Sequence, residues 1–133
     1  MEEKNYTLKV DTNIRGTGLK IPETVMENAI KEFIEKGNAY GTLESPVVSP
    51  DLNLSNAACT INYVQTTEDG NVAVDITPFN TFEGNVLQEI LEKYQNNMVF
   101  EANGFYHDEQ NHETGEHNPV IDVIWSLNAV FKK

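Results

Sequence analysis

NAACTINYVQTTEDGNVAVDITPFNTFEGNVLQEILEKY, residues 56–94, changes its hydrophobic period part-way, and that change decides the fold. Cys59, Ile61 and Tyr63 alternate with polar residues, the two-residue period of a half-buried strand. Glu68-Asp69-Gly70-Asn71 then supplies turn chemistry, because Asp tolerates left-handed backbone and Gly has no Cβ to clash. Val72, Val74 and Ile76 resume the alternation. Past Thr77-Pro78, Val86, Leu87, Ile90, Leu91 and Tyr94 recur at helical spacing. The stretch reads as a β-hairpin followed by a helix packed on it.

Upstream, Tyr6, Leu8 and Val10 alternate with Thr7, Lys9 and Asp11, which predicts a strand that joins the same sheet. Residues 13–20 carry Gly16 and Gly18 without periodicity and read as a loop; the rest of a phosphate-binding spacing is missing. Pro22 suits a first helical turn, and Val25, Met26, Ala29, Ile30, Phe33 and Ile34 form one apolar stripe, ended by Gly37. Residues 38–53 read as a polar, Pro-punctuated connection in which Leu43, Val47 and Val48 can form a short buried edge.

Downstream, residues 98–106 read as a strand with Met98, Phe100 and Ala102 on one face. Residues 107–118 read as a dense polar loop. Ile121, Val123, Trp125, Leu127, Ala129 and Phe131 alternate through a run rich in β-formers, with Ile124 and Val130 on the opposite face, so this is expected to be a central strand covered on both sides. The elements predict one α+β domain over residues 1–133: a mainly antiparallel sheet or partly open barrel with two packed helices.

A chain of 133 residues buries enough surface to fold without disulfides or metals. Its net charge of −12, with Arg15 the only arginine beside eight lysines, argues against direct contact with nucleic acid. Cys59 is the only cysteine, so an internal disulfide is impossible and intracellular assembly is the expectation. The first residues lack the basic-then-apolar pattern of a signal peptide, and no apolar run has the length of a membrane span. The expectation is a soluble protein with no membrane partner.

Three arrangements bear on chemistry. His107, His112 and His117 recur every five residues among carboxylates, but that spacing fits no standard metal motif and does not place imidazoles on one helical face; the reading is a solvated loop with no cofactor. Cys59 alternates with apolar neighbours, as a buried and inert thiol does, which weighs against a Cys-His nucleophile. Paired carboxylates discriminate nothing in a chain with 21 acidic residues.

With these elements in place, residues 22–131 resemble the prohead (capsid maturation) proteases of tailed phages, whose fold is shared with herpesvirus assemblins. That family follows a helix with a Gly-x-Leu-x-His-Pro type motif; here the helix is followed by Gly41-Thr42-Leu43-Glu44-Ser45-Pro46, with Ser45 at the histidine position. The hairpin and the Thr81-Phe82-Glu83-Gly84 helix entry match in order and spacing. Where the family carries its nucleophile in a Ser-Ser-Arg-Gly type strand motif, this chain has Glu101-Ala102-Asn103-Gly104. The resemblance implies a prohead-protease-like fold that keeps the shaping glycines Gly41, Gly84 and Gly104 and has lost its chemistry at Ser45, Glu101 and Ala102.

The expectation is therefore a non-catalytic structural or capsid-assembly protein, assembled in the host cytoplasm and carried in the virion. It would act by contact with capsid or other phage structural proteins, self-association being open. Tyr40, Leu43, Val47 and Val48 are the expected contact residues, because strand addition needs only unpaired backbone and alternating side-chain pockets. Two alternatives stay open: a soluble acidic inhibitor or DNA mimic that binds a host enzyme, and a residual hydrolase with an unrecognised site.

Overall fold

Strand β1 (Tyr6–Asp11) leads to helix α1 (Glu23–Glu35), then β2 (Tyr40–Leu43), the hairpin β3 (Ala57–Thr66) and β4 (Val72–Pro78), helix α2 (Phe82–Tyr94), a single 3-10 turn, and the long strands β5 (Met98–Asp108) and β6 (Pro119–Phe131). This computed structural model describes residues 4–13, 20–37, 39–43 and 57–132.

The six strands close into a barrel in the order β1-β4-β3-β2-β6-β5. Four neighbouring pairs are antiparallel, whereas β1 with β5 and β2 with β6 run parallel. The α+β class with two helices is as expected; the sheet is closed and mixed rather than partly open and mainly antiparallel. Both parallel joins connect strands far apart in the chain, and local alternation carries no information about such partners. Strand β2 is a second departure, since residues 40–43 fall inside the expected connection. Its four residues are too few for a period, yet they sit between β3 and β6 as part of the barrel wall and not at an edge.

Register shifts decide which side chains face in. Between Ile61 and Tyr63 the ladder to β4 skips Asn62, so the strand's parity flips. Tyr63, expected on the apolar face, is 56% exposed, and Val64 is buried in its place. On β6 the ladder to β5 skips Trp125 and then Asp122. Ile121, Ile124 and Leu127 therefore all face the core at three-residue steps, a spacing impossible on a regular strand. Val123 and Trp125 correspondingly leave the face on which the alternation put them with Leu127, and both are half-buried.

The core joins Leu8, Val10, Ile61, Val64, Val74, Ile76, Phe100 and Leu127 from the barrel to Met26, Ile30 and Phe33 of α1 and Leu87 and Leu91 of α2. Helix α1 packs on β3 and β6, and α2 on β3 and β4. Four successive residues of β6, Ser126 to Ala129, are buried, so this strand is covered on both faces as expected. Thr81 caps α2 by accepting a hydrogen bond from the Gly84 amide at 3.1 Å. A Cβ at Gly84 would lie 1.9 Å from the Phe79 carbonyl oxygen, so only glycine allows the chain to double back this tightly into the helix.

Candidate functional site

A polar row crosses four strands on the side of the barrel wall opposite the core. Thr42 of β2 pairs with Asn128 of β6, Asn128 with Glu101 of β5, and Glu101 with Asp11 of β1. Paired residues share a face of the sheet, and the alternating residues Gly41, Leu127, Phe100 and Val10 point the other way into the core. The Thr42 hydroxyl donates to the Asn128 carboxamide oxygen at 2.9 Å, with both side chains buried. One step along, the Asn103 amide donates to the buried Ser126 hydroxyl at 3.1 Å. Asp11 accepts from both the backbone and side-chain nitrogens of Asn13, at 3.0 and 2.9 Å, which fixes its carboxylate at the end of β1.

Beside this row lies a cleft of about 240 Å³. Asp11, Asn13, Glu101 and Ala102 line it on the barrel side, Ile21 and Met26 at the start of α1, and Gly104, Phe105, Tyr106, Ile121, Val123 and Ile124 on the outer parts of β5 and β6. Its chemistry is carboxylate, amide, phenol and hydrocarbon. Among the described residues that line it there is no Ser, Thr, Cys or His, the groups that serve as activated nucleophile or as the commonest base.

Cys59, the one thiol, sits elsewhere. It is fully buried opposite Gly41 on β3, and burial pushes its pKa up to about 12. Such a thiol holds its proton at neutral pH and has neither charge nor access for nucleophilic attack. A Cβ on Gly41 would approach the Cys59 Sγ to 2.7 Å, so glycine here makes room for the sulfur. At Gly104 a Cβ would meet the Val123 carbonyl oxygen at 1.9 Å, next to the irregular step in the β5–β6 ladder.

The three histidines do not converge. His107 lies on β5 itself, which extends two residues beyond its expected end, and its Nδ1 is 2.8 Å from Asp122 while Nε2 is 3.2 Å from Glu109. His117 Nδ1 is 2.5 Å from Asp108, whose other oxygen accepts from the Asn118 amide at 2.7 Å. His112 stands in the exposed turn between the strands. Hydrogen bonds to Asp122 and Glu109 raise the His107 pKa, and the bond to His117 lowers that of Asp108. Among the described residues no three His, Cys, Asp or Glu side chains come together as a set of metal ligands.

Of the positions that the resemblance sets against catalytic residues, Glu101 and Ala102 stand on β5 at the junction of the polar row and the cleft. Ser45, Val47 and Val48 lie outside the described residues. Tyr40 and Leu43 are half-buried: Tyr40 packs edge-on against Phe79 with ring centroids 5.4 Å apart, and Leu43 packs on the core cluster. Thr42, Asn128, Ser126 and Asp11 were not singled out in the sequence. Their one local sign is polarity at positions 126 and 128 within an otherwise apolar run, and the rest depends on which distant strands become neighbours.

Comparison with models of known protein families, with curated proteins and with solved structures finds no match to the chain.

Proposed function

We propose that the protein is a non-catalytic structural or assembly protein of a tailed-phage particle, a prohead-protease-like barrel that works by contact with capsid or other structural proteins. The observation that carries this reading is the setting of Glu101 and Ala102. They occupy the strand position of the family's nucleophile motif, and β5 there flanks β6 on the side opposite β2. Strand β2 leads into the family's histidine motif, ending at Leu43, two residues before Ser45. The strand that leads toward the histidine motif and the strand that carries the nucleophile motif thus flank one central strand, which supports the reading.

Acyl transfer needs a hydroxyl or thiol whose proton a neighbouring base removes. Glu101 and Ala102 supply neither, and the buried Thr42, Asn128 and Ser126 and the half-buried Asn103 are engaged in two side-chain pairs, Thr42 with Asn128 and Asn103 with Ser126, as a structural seam. Retention of Gly41, Gly84 and Gly104, each hemmed in by neighbouring atoms, fits a backbone kept while the chemistry was lost. The reading places the protein in the virion, after assembly in the host cytoplasm.

Two measurements test it. Mass spectrometry of purified particles should find the chain at a defined copy number, and a fluorophosphonate probe should leave the purified protein unlabelled. Labelling that a single Ser substitution abolishes would overturn the loss of catalysis. Expression in infected cells without incorporation would favour the second reading, a soluble acidic inhibitor of a host enzyme, for which the net charge of −12 speaks.

A further inference from the structure

Among the described residues, β5 parts from β1 beyond Glu101, and β6 joins β2 only at residues 127–129. The outer parts of β5 and β6 therefore run on together as a two-stranded arm. The arm keeps large side chains in water: Phe105 is 61% and Tyr106 45% exposed, and the Phe105 ring meets that of Trp125 edge-on at 4.9 Å. Aromatic side chains grouped in this way are the usual anchors of a protein interface.

The cleft under the arm is continuous with these rings, since Phe105 and Tyr106 also line it. At about 240 Å³ it falls short of the roughly 300–1,000 Å³ typical of small-molecule sites, and its size suits a single side chain. Charge sets the rest. Residues 98–131 contain no Lys or Arg but hold Glu101, Asp108, Glu109, Glu113, Glu116 and Asp122. Asp11 adds a carboxylate to the cleft; Lys9, Lys20 and Lys132 line a broader depression that adjoins it through Asp11, Asn13, Glu101 and Ala102, on the side away from the arm.

We infer that the arm and its cleft dock an extended segment of a partner protein that places one apolar side chain in the cleft between flanking Lys or Arg residues. The apolar anchor fills the space bounded by Ile21, Met26 and Ile124, and the basic flanks meet the acidic arm. A second copy of this chain, set arm against arm, is a poor occupant, because two acidic arms without Lys or Arg repel each other. This inference rests on the contact reading above and names the partner's chemistry.

The test is an NMR titration of the full chain with two seven-residue peptides, one alternating Lys with Val around a central Leu and one with Glu in place of every Lys. The basic peptide should bind about tenfold or more tightly than the acidic one, weaken as salt is raised, and shift the amides of Gly104 and Ile124. Phe105→Ser, which removes the rim, and Ala102→Phe, which fills the cleft, should each abolish binding with the fold checked by melting temperature. Phe82→Ser, at an aromatic 78% exposed on α2, should leave it intact. Equal binding of both peptides, no binding, or equal loss in the Phe82 variant overturns the inference. Particles that contain the chain while the peptide fails to bind overturn the docking mode alone; peptide binding without incorporation overturns the particle reading alone.

Discussion

The Thr42 hydroxyl donates to Asn128 across the parallel join of β2 and β6, and neither side chain has appreciable contact with solvent. A buried acceptor that loses its donor pays its full desolvation cost. Thr42→Val keeps the shape and removes the hydroxyl, so chemical denaturation should show a loss of about 1–3 kcal/mol. Thr42→Ser keeps the donor and should lose less. Equal losses in the two variants would assign the effect to packing of the methyl group.

Gly41 faces Cys59 at the next position along the same strand. An added Cβ would stand 2.7 Å from the sulfur and 3.3 Å from both Ile61 Cδ1 and the Leu127 carbonyl oxygen. Gly41→Ala should destabilise by about 1–3 kcal/mol, as overpacking of a close-packed core does. Because the sulfur is the nearest obstacle, Cys59→Ala in the same chain should recover part of that loss, and a double-mutant cycle measures the coupling. Strict additivity would mean that the clash lies with the backbone instead.

The thiol gives a separate readout. Buried, and with its pKa pushed up to about 12, Cys59 should resist alkylation in the native protein at pH 8 and react at once in denaturant. Native labelling should proceed only through opening of the barrel, so substitutions that destabilise the fold should accelerate it. Fast labelling of the native chain would place the sulfur at the surface.

His107 should titrate above the ordinary histidine value of about 6.5, because Asp122 first and Glu109 second hydrogen-bond its ring. A raised folded-state pKa contributes stability that is fully present below the unfolded value and lost as pH rises through the folded one. Imidazole chemical shifts followed against pH give the value directly. His107→Asn should flatten the alkaline side of the melting-temperature profile in that window; an unchanged profile would mean that the pair persists equally in the unfolded chain. Asp108, lowered by His117, acts in the opposite range, with its contribution present above the unfolded carboxylate value and lost on acidification.

Both helices and the strands β1, β3, β4, β5 and β6 were legible because each repeats its period over enough residues to stand out. The apolar stripe of α1 and the Thr81-x-x-Gly84 entry to α2 are local features, and they form where the pattern put them. Tyr63 and Trp125 went astray for one reason: a single inserted residue inverts every side chain beyond it, and neither Asn62 nor Trp125 is marked by residue type as the inserted one. In retrospect the three-residue steps Ile61 to Val64 and Ile121 to Ile124 to Leu127 were visible. The polar row was legible only in part, because Thr42, Asn128, Glu101 and Asp11 become neighbours through pairings remote in sequence.

Those remote pairings bear on how the polypeptide reaches its final form. Lys9 pairs with Val99, and Gly41 with Leu127, so the first strand must wait for the fifth and the second for the sixth. During synthesis the hairpin of β3 and β4 with α2 can assemble as a local unit, but the wall cannot be completed until the last strand has left the ribosome. Non-local closure of this kind slows folding, and it leaves unpaired strand margins exposed in the meantime. A chain truncated before Leu127 should therefore lose more than its final strand: β2 would be left without one neighbour, and the unfinished product would be prone to aggregate.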